Sequence, residues 1–236
     1  MTSVKGFLGG AFLLTLTACA GTYHSYIDNL KLAFNKAEDV SFSLEDVKKA
    51  PSDLVYVKHG ERSVAAMALY KIEGGQHKWV SADNGMLIEE KGRIVRTLGF
   101  SNDLLVLTSE AVDPIQQLNN IPEQTEWLRF ADWKKGEYGY PIRSTFEVQP
   151  DQQLVFFDKT LSATLVIEYV EYESSANYVR LDGSWQNRFW FETKSGTLIK
   201  SEQLLAPFWQ PLTMTYISRI ARLLPSEPAS TIVGEL

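Results

Sequence analysis

The change of pattern at Pro51 constrains the fold of this 236-residue chain more than any other feature of its sequence. Beyond it, short runs rich in Val, Ile, Tyr, Phe and Thr alternate with Gly, Asn, Asp and Pro, and long helical periodicity is absent. Such runs are typical of antiparallel strands joined by tight turns. We expect strands at 54–59, 63–72, 77–82, 86–90, 93–98, 104–108, 126–133, 142–148, 154–157, 163–173, 178–182, 188–192, 197–204 and 212–217. The pattern predicts a mainly β fold: an antiparallel barrel, half-barrel or sandwich with a short N-terminal helix.

Two helices are expected before Pro51. Apolar residues recur at helical spacing in 23–36, which predicts an amphipathic helix. Its polar face is not strongly basic, so packing on the sheet is favoured over lying in a membrane. A second, short helix is indicated by Ser43 with Asp46 three residues later, the spacing of a capping box.

The N-terminus has the pattern of a secretory signal: Lys5, an apolar run over 7–16 and small residues before Cys19. The alternative, a transmembrane helix, is disfavoured because about ten apolar residues are too few for a span of roughly 20. The tetrad LTAC ending at Cys19 resembles the lipobox of bacterial lipoproteins, in which the cysteine is acylated and becomes the first residue of the mature chain. The resemblance implies a signal peptide over 1–18 and a fatty-acyl membrane anchor on Cys19. Ala20, instead of aspartate, favours the periplasmic face of an outer membrane.

Composition bounds the remaining chain. We expect one β-rich domain over 19–224 and a loosely ordered tail over 225–236, which is rich in Pro and small polar residues. Loss of Lys5 with the signal moves the net charge from −6 to −7, so no nucleic-acid partner is expected. Because Cys19 is the only cysteine, acylation leaves no disulfide and the fold must depend on its apolar core.

No catalytic or metal-binding motif is found. The three histidines lack metal-ligand spacing, and neither a zinc-hydrolase nor a serine-hydrolase motif occurs. Glu168, Glu171 and Glu173 offer paired carboxylates of the kind used in glycoside cleavage, but a solvated or lumen-facing stripe is the favoured interpretation. We therefore expect a non-catalytic protein without cofactor or metal.

Two polar stretches are candidates for binding. Arg93 and Arg96 differ by an odd number, so they are predicted on opposite faces of one strand. A guanidinium in a cleft binds a uronate or a phosphate, whereas the favoured structural alternative for these arginines is an ion pair with Glu89, Glu90 or Asp103. Lys200 and Gln203 offer ammonium and amide donors, or they protect a sheet edge with charge and polarity.

Aromatic side chains are the other candidates. Trp79, Trp185 and Trp190 suit stacking on the apolar face of a sugar, although core packing is favoured for a single tryptophan. The segments beginning at Trp79 and Trp190 share the pattern W-x5-G-x-L-I, which predicts two hairpins with glycine in the turn. A duplicated sheet unit and independent recurrence of hairpin chemistry both remain open.

Together these features resemble the YjbF/GfcB family of outer-membrane lipoproteins, which are encoded with group 4 capsule and exopolysaccharide genes in Gram-negative bacteria. Besides the lipobox, the resemblance rests on Tyr26, Leu30, Trp79, Asn84-Gly85, Gly92-Arg93, Thr97, Gly99, Asp113-Pro114, Glu168, Asn187, Trp190, Gly196, Lys200-Ser201 and Gln203. The element G-R-x-x-x-T-x-G is its most specific part, and the similarity spans nearly the whole mature chain. It implies a β fold, no enzymatic activity and no established binding residues.

The resemblance also implies a role beside periplasmic and outer-membrane export proteins. The first hypothesis is an accessory lipoprotein that assists export or assembly of surface polysaccharide by binding glycan or partner proteins. The alternative is a carrier of lipid or lipoprotein resembling the Lol factors, which requires a continuous apolar cavity. A polysaccharide-modifying enzyme is the third, and it requires a cleft with two converging carboxylates.

Overall fold

The computed structural model describes residues 38–120, 125–173 and 183–224. The predicted signal peptide, the acylation site Cys19, the helix over 23–36, the strand over 178–182 and the tail over 225–236 lie outside the described residues. No helix in the described ranges is long and apolar enough to cross a bilayer.

Twelve antiparallel strands form one sheet that curves into a nearly closed barrel. Each strand pairs with its neighbours in sequence, except that β5 and β6 do not pair. The first and last strands, β1 and β12, are joined by a backbone ladder. The strands are β1 Leu54–His59, β2 Ala65–Glu73, β3 Gln76–Ser81, β4 Met86–Glu90, β5 Arg93–Leu98, β6 Leu104–Thr108, β7 Glu126–Trp133, β8 Glu137–Phe156, β9 Lys159–Tyr172, β10 Ser184–Glu192, β11 Leu198–Gln203 and β12 Leu212–Thr215. The predicted mainly β fold is confirmed, and among the three architectures it is a barrel.

The gap in the barrel lies between β5 and β6, the two edge strands of the sheet. Side chains replace the backbone ladder there. The Asp103 carboxylate accepts hydrogen bonds from the Thr97 hydroxyl at 3.1 Å and the Phe100 amide at 2.9 Å, and Thr97 Oγ1 accepts from the Leu104 amide at 2.9 Å. These contacts fasten the β5–β6 turn while the rest of the two strands remains without a shared ladder. We call this gap the seam.

Helices flank the barrel. The short helix predicted near Ser43 is confirmed as α1, Leu44–Lys49, and the Ser43–Asp46 capping box is present. A second helix, α2 (Ile217–Leu223), was not predicted, because seven residues after a strand show too little periodicity to be recognised. A 3-10 segment, Pro114–Asn120, follows β6 where a loop was expected.

One predicted strand break is wrong. The separate strands expected at 142–148 and 154–157 are both parts of β8, which pairs with β9 over most of its length. Pro150 and Asp151 suggested a turn, but the structure accommodates them as a register shift between Gln149 and Gln152, with Asp151 at a φ of 61°. A bulge of this kind bends a strand without ending it.

Side chains fill the barrel interior. Trp79, Leu87, Trp133, Phe189 and Met214 belong to one buried cluster that faces inward. The outer face of β9–β11 is covered by α2, where a second cluster includes Trp190, Ile199 and Ile220. The carrier hypothesis required a continuous apolar cavity, whereas the inward-facing side chains of the described residues pack together in this cluster.

The two W-x5-G-x-L-I segments are hairpins, β3–β4 and β10–β11. They differ in register, because Trp79 pairs with Leu87 eight residues on, whereas a bulge after Trp190 pairs it with Lys200. Trp79 faces the interior and Trp190 the outer cluster. The first turn takes its positive φ of 64° from Asn84 instead of the predicted glycine. These differences favour recurrent hairpin chemistry over a duplicated unit.

Gly92 joins β4 to β5 at a position that only glycine suits. Its φ is +103°, and an added Cβ would lie 2.5 Å from Leu198 Cδ2, inside the buried cluster. We expect Gly92→Ala to lower the free energy of unfolding by about 2 to 4 kcal/mol, from the positive φ and from overpacking together. Urea denaturation measures it.

Gly196→Ala is the matched control. Gly196 also has a positive φ, +66°, but a Cβ there would meet no atom within 4 Å. We expect Gly196→Ala to lower the free energy of unfolding by about 1 kcal/mol, because only the positive φ is unfavourable there. Equal decreases in the free energy of unfolding of the two variants would show that contact between the added Cβ and Leu198 has no effect.

Candidate functional site

A buried carboxylate organises the polar part of the barrel interior. Glu168 on β9 is fully buried and accepts hydrogen bonds from four side chains. Its Oε2 accepts from Arg93 Nη1 and Asn187 Nδ2, both at 2.8 Å, and its Oε1 from Arg129 Nη1 at 2.8 Å and the Ser144 hydroxyl at 2.6 Å. The four donors come from β5, β10, β7 and β8. Glu168 therefore ties together strands on both sides of the seam.

Arg93 extends this network to the segment after β6. Its Nε and Nη2 donate to the two carboxylate oxygens of Asp113, the second at 3.1 Å, so the pair is bidentate. The guanidinium also stacks on Trp127, with Cζ 4.6 Å from the ring centroid, and Arg129 contacts the same ring at 4.7 Å. We call Arg93, Asp113, Arg129 and Glu168 the seam network; it contains two positive and two negative charges.

Mutual attraction keeps these groups ionised in spite of burial. Burial opposes the charge on Glu168, but Arg129 and Arg93, with the Ser144 hydrogen bond, outweigh it and lower its pKa to about 2. Burial similarly opposes the charge on Arg93, and Asp113 and Glu168 raise its pKa above the ordinary value. Burial and the nearby Arg93 lower the pKa of Arg129 to about 10, so it too is protonated at neutral pH.

Two members of the seam network, Arg93 and Asp113, line a cleft of about 340 Å³ between β5 and β6. The last residue of β4, the edges of β5 and β6, the segment after β6 and one residue of β7 line this seam cleft: Glu90, Arg93, Val95, Leu107, Thr108, Ser109, Ala111, Val112, Asp113, Gln116 and Trp127. The Arg93 guanidinium is already bonded to Asp113 and Glu168. A ligand here would therefore meet a guanidinium whose charge is already paired within the protein.

Arg93 and Arg96 lie on opposite faces of β5 as predicted, but the predicted ion-pair partners are wrong. Arg93 is buried and Arg96 is exposed, as the odd spacing required. The partners of Arg93 are Asp113 and Glu168, neither of which was among the three carboxylates named. The sequence could not indicate them, because they lie 20 and 75 residues away.

Gln203 is also an interior side chain. Its amide nitrogen donates to Gly92 O at 2.9 Å, and its carbonyl accepts from the Ile94 amide at 3.0 Å. Gln203 thus supplies both a donor and an acceptor to the backbone of edge strand β5, and it is buried from solvent. This role is structural in the described barrel and leaves the side chain no surface for a glycan.

The three tryptophans named as sugar platforms are all buried. The Trp79 indole donates to Glu89 at 3.1 Å, and Trp185 packs edge-on against Tyr172. Trp190 lies beneath α2 and beside Lys200, whose Nζ is 4.5 Å from the ring centroid. Lys200 is partly buried and also forms an ion pair with Glu202 at 2.8 Å. Among the seven residues predicted as binding candidates, only Arg96 is exposed.

Glu89 is a second buried carboxylate, and it does not pair with an arginine of β5 as predicted. Glu89 on β4 accepts from the Trp79 indole, from the Tyr216 hydroxyl at 2.8 Å and from Arg219 Nη2 at 3.2 Å. Burial and the Glu89 charge raise the pKa of Tyr216 well above its ordinary value. Glu89 therefore links β4 to the end of β12 and to α2.

Arg129 and Ser144 are the members of the site that sequence reasoning missed. Trp127, Arg129, Ala131 and Trp133 alternate along β7 and are all buried, so Arg129 occupies an inward position among apolar residues. A buried arginine requires a carboxylate partner. The position of Arg129 among alternating apolar residues was therefore the signal in the sequence that could have indicated a buried ion pair. Glu171 and Glu173, by contrast, are exposed, as the solvated-stripe interpretation expected.

Within the described ranges, no group of three or more His, Cys, Asp or Glu residues is arranged to hold a metal ion. The two carboxylates of the seam network are each hydrogen-bonded to arginine. Glycoside cleavage requires one carboxylic acid with a raised pKa, whereas the pKa of Glu168 is lowered. The network is suited to holding strands together.

Comparison with known proteins gives consistent matches. Residues 27–217 match the family model described as group 4 capsule polysaccharide lipoprotein gfcB, YjbF. The chain is 24% identical to the uncharacterized lipoprotein GfcB of Escherichia coli K12 over 208 residues, covering 87% of this chain and 94% of GfcB. It is 27% identical to the uncharacterized lipoprotein YjbF of the same organism over 207 residues, covering 86% and 93%.

A solved structure shares the fold. The crystal structure of the hypothetical lipoprotein YmcC from Escherichia coli K12 superposes with a TM-score of 0.65 at 23% sequence identity. The match covers 88% of this chain and 96% of YmcC.

Glu168→Gln tests the seam network at neutral pH. The amide removes the negative charge shared by two buried cations and, in either orientation, turns its NH2 toward one of the two arginines, which can only donate. We expect the free energy of unfolding to fall by about 3 to 5 kcal/mol. Glu171→Gln, on the exposed face of the same strand, should change it by less than about 0.5 kcal/mol. Similar values for the two variants would show that Glu168 does not organise the interior.

Acidification tests the same group independently. The pKa of Glu168 is about 2 in the folded protein against 4.5 for an unperturbed group, so its stabilisation is complete above pH 4.5 and is lost as the pH falls toward 2. The loss should be of order 3 kcal/mol. Denaturation of wild type and Glu168→Gln between pH 6 and pH 2 should show a convergence of the two stabilities. Parallel curves would contradict the lowered pKa.

Proposed function

We propose, from the premise that this chain belongs to the YjbF family of group 4 capsule polysaccharide lipoproteins, that it is a non-catalytic accessory in the export or assembly of capsular or extracellular polysaccharide. It acts from the periplasmic face of the outer membrane, held there by an acyl chain on Cys19. It binds glycan, or the periplasmic and outer-membrane proteins that move the glycan.

The observation that carries the non-catalytic part is the state of Glu168. Its two oxygens accept four hydrogen bonds, and its pKa of about 2 leaves it without a proton to donate at neutral pH. A buried carboxylate held in this way supports a rigid scaffold and is unsuited to general acid catalysis. The balanced charge of the seam network supports the same interpretation.

Anchoring gives a binding protein its advantage. An acylated Cys19 confines the body to one leaflet, since each buried methylene contributes roughly 0.8 kcal/mol and several chains together bind durably. Confinement raises the local concentration of the body near a pore in the same membrane. Even weak contacts with polymer or partner are then sufficient.

Partner proteins have an accessible surface at the seam. Arg96 is exposed on β5, and Leu98 and Val106 expose apolar side chains on the two edge strands. Edge strands without a shared ladder present unpaired backbone groups that bind extended chains. We propose this face for protein contacts, with the filled interior as its rigid support.

Deletion of the gene should reduce surface polysaccharide, and plasmid-borne wild type should restore it. A soluble form, with Cys19→Ala behind a signal that leaves no acyl chain, should fail to restore it because the body diffuses away from the membrane. Membrane fractionation and quantitation of cell-bound and released polysaccharide provide the readout.

Ala20→Asp is the matched test of location, with Ala20→Ser as its control. Aspartate after the acylated cysteine resembles the inner-membrane retention pattern, so this variant should remain acylated, fractionate with the inner membrane and restore little polysaccharide. Normal polysaccharide in the deletion strain would count against the export role. Full restoration by the soluble form would count against the need for the anchor.

A further inference from the structure

Five aromatic side chains meet at one rim of the barrel. His59 ends β1 and Trp133 ends β7, while Phe100 follows β5 and Phe208 and Trp209 follow β11. Odd-numbered strands of an up-and-down antiparallel barrel all run in one direction, so their ends share one rim. We call these five residues the aromatic rim.

The rings form a continuous set of contacts. Trp209 is central: its ring centroid is 5.2 Å from Phe100, 5.6 Å from His59 and 5.9 Å from Trp133. Phe208 contacts Trp133 edge-on at 5.1 Å and is 46% exposed, so the set extends from the interior to solvent. Phe208 and Trp209 lie in the connection 204–211, which contains neither helix nor strand, so they can shift without breaking a ladder.

Polar atoms without partners concentrate at this rim. Trp133 and Trp209 are 1% and 8% exposed, and neither indole N–H has a hydrogen-bond acceptor among the described residues. Both ring nitrogens of His59 are buried and equally without a partner in the described structure. Trp79 and Trp127 differ, since their indoles donate to Glu89 and to Ala111 O. Buried donors are nearly always satisfied, so four unsatisfied atoms in one cluster indicate a missing polar group.

The chemistry of these atoms restricts that group. Burial, with a smaller contribution from Arg62, lowers the pKa of His59, so its imidazole is neutral at pH 7 and offers one donor and one acceptor. With the two indoles, the rim presents three donors and one acceptor among aromatic faces. A cation would oppose the donors, and an anion would leave the acceptor unused. Hydroxyl groups both accept and donate, and the apolar face of a sugar ring packs on aromatic rings.

We propose that the aromatic rim is a glycan-binding site that holds a pyranose ring of the polysaccharide against Phe208 and Trp209, with sugar hydroxyls on Trp133, Trp209 and His59. This inference rests on the proposed function and specifies where the glycan binds. It transfers the sugar-binding role expected of Trp79, Trp185 and Trp190 to two other tryptophans, a histidine and two phenylalanines.

The test uses the six indole N–H resonances of the soluble mature chain carrying Cys19→Ala, assigned by single Trp→Phe substitutions. The probe is a set of oligosaccharides of two to six sugars released from the host's own surface polysaccharide, with maltohexaose as an unrelated glycan. Titration should shift the Trp133 and Trp209 resonances and leave those of Trp79 and Trp127 in place.

Variants then separate stacking from hydrogen bonding. Phe208→Ala should weaken binding roughly tenfold, and Trp133→Phe, which keeps a ring and removes the N–H, about fivefold. Trp127→Phe is the matched control, because its indole is already bonded within the protein. Circular dichroism and urea midpoints check that each variant is folded.

Three results would overturn the inference: no binding of the host oligosaccharides, binding that shifts only resonances outside the rim, or equal binding of maltohexaose and host glycan. The first two leave ordered water as the occupant of the rim, and the third shows a carbohydrate surface without preference for the host polysaccharide. None of them decides the export role, which the deletion strain tests separately. If Phe208→Ala restores polysaccharide fully in that strain while deletion abolishes it, the rim is dispensable and the broader function stands.

Discussion

The contact between Arg93 and Glu168 holds together the two halves of a barrel that its backbone does not close. A backbone ladder joins β1 to β12, but β5 and β6 share none, so the edges must be joined by side chains. Arg93 donates from edge strand β5 to Glu168 on β9 and to Asp113 beyond β6. Hydrogen bonds to charged groups are each worth about 1.5 to 3 kcal/mol, roughly twice a neutral one, so a few of them can replace a short ladder.

Burying four charges nevertheless has a cost, and it explains why the network is so completely satisfied. Desolvation of an isolated ion pair can exceed its Coulomb attraction, so such pairs are poor evidence for stability alone. Here Ser144 and Asn187 supply the remaining donors to Glu168, and Trp127 contacts both guanidiniums. Five strands must be in register for these groups to meet. The network therefore favours one strand arrangement over slipped alternatives, at little net gain in stability.

Local signals were sufficient for much of the fold. The bounds of β1, β4, β5, β6 and β7 and the cap of α1 follow from alternation, turn residues and the Ser43–Asp46 spacing, which act within a few residues. The bulge in β8 was missed because Pro150 and Asp151 indicate a turn unless a long partner strand continues past them. The partners of Arg93 were missed because tertiary folding brings them together. Burial likewise turned Trp79, Trp185 and Gln203 from candidate binding groups into structural ones.

The residues that carry the family resemblance meet in the interior. Five of them come from separate places in the chain. Hydrogen bonds and ion pairs join Arg93, Asp113, Glu168 and Asn187, and Gln203 bonds to the backbone on either side of Arg93. Their side chains are hydrogen-bonded within the protein, so they help to specify the barrel. We therefore assign the proposed binding of polymer or partner to residues outside this set, at surfaces that the barrel supports. The aromatic rim is such a surface, because none of its five residues belongs to the motifs that define the resemblance.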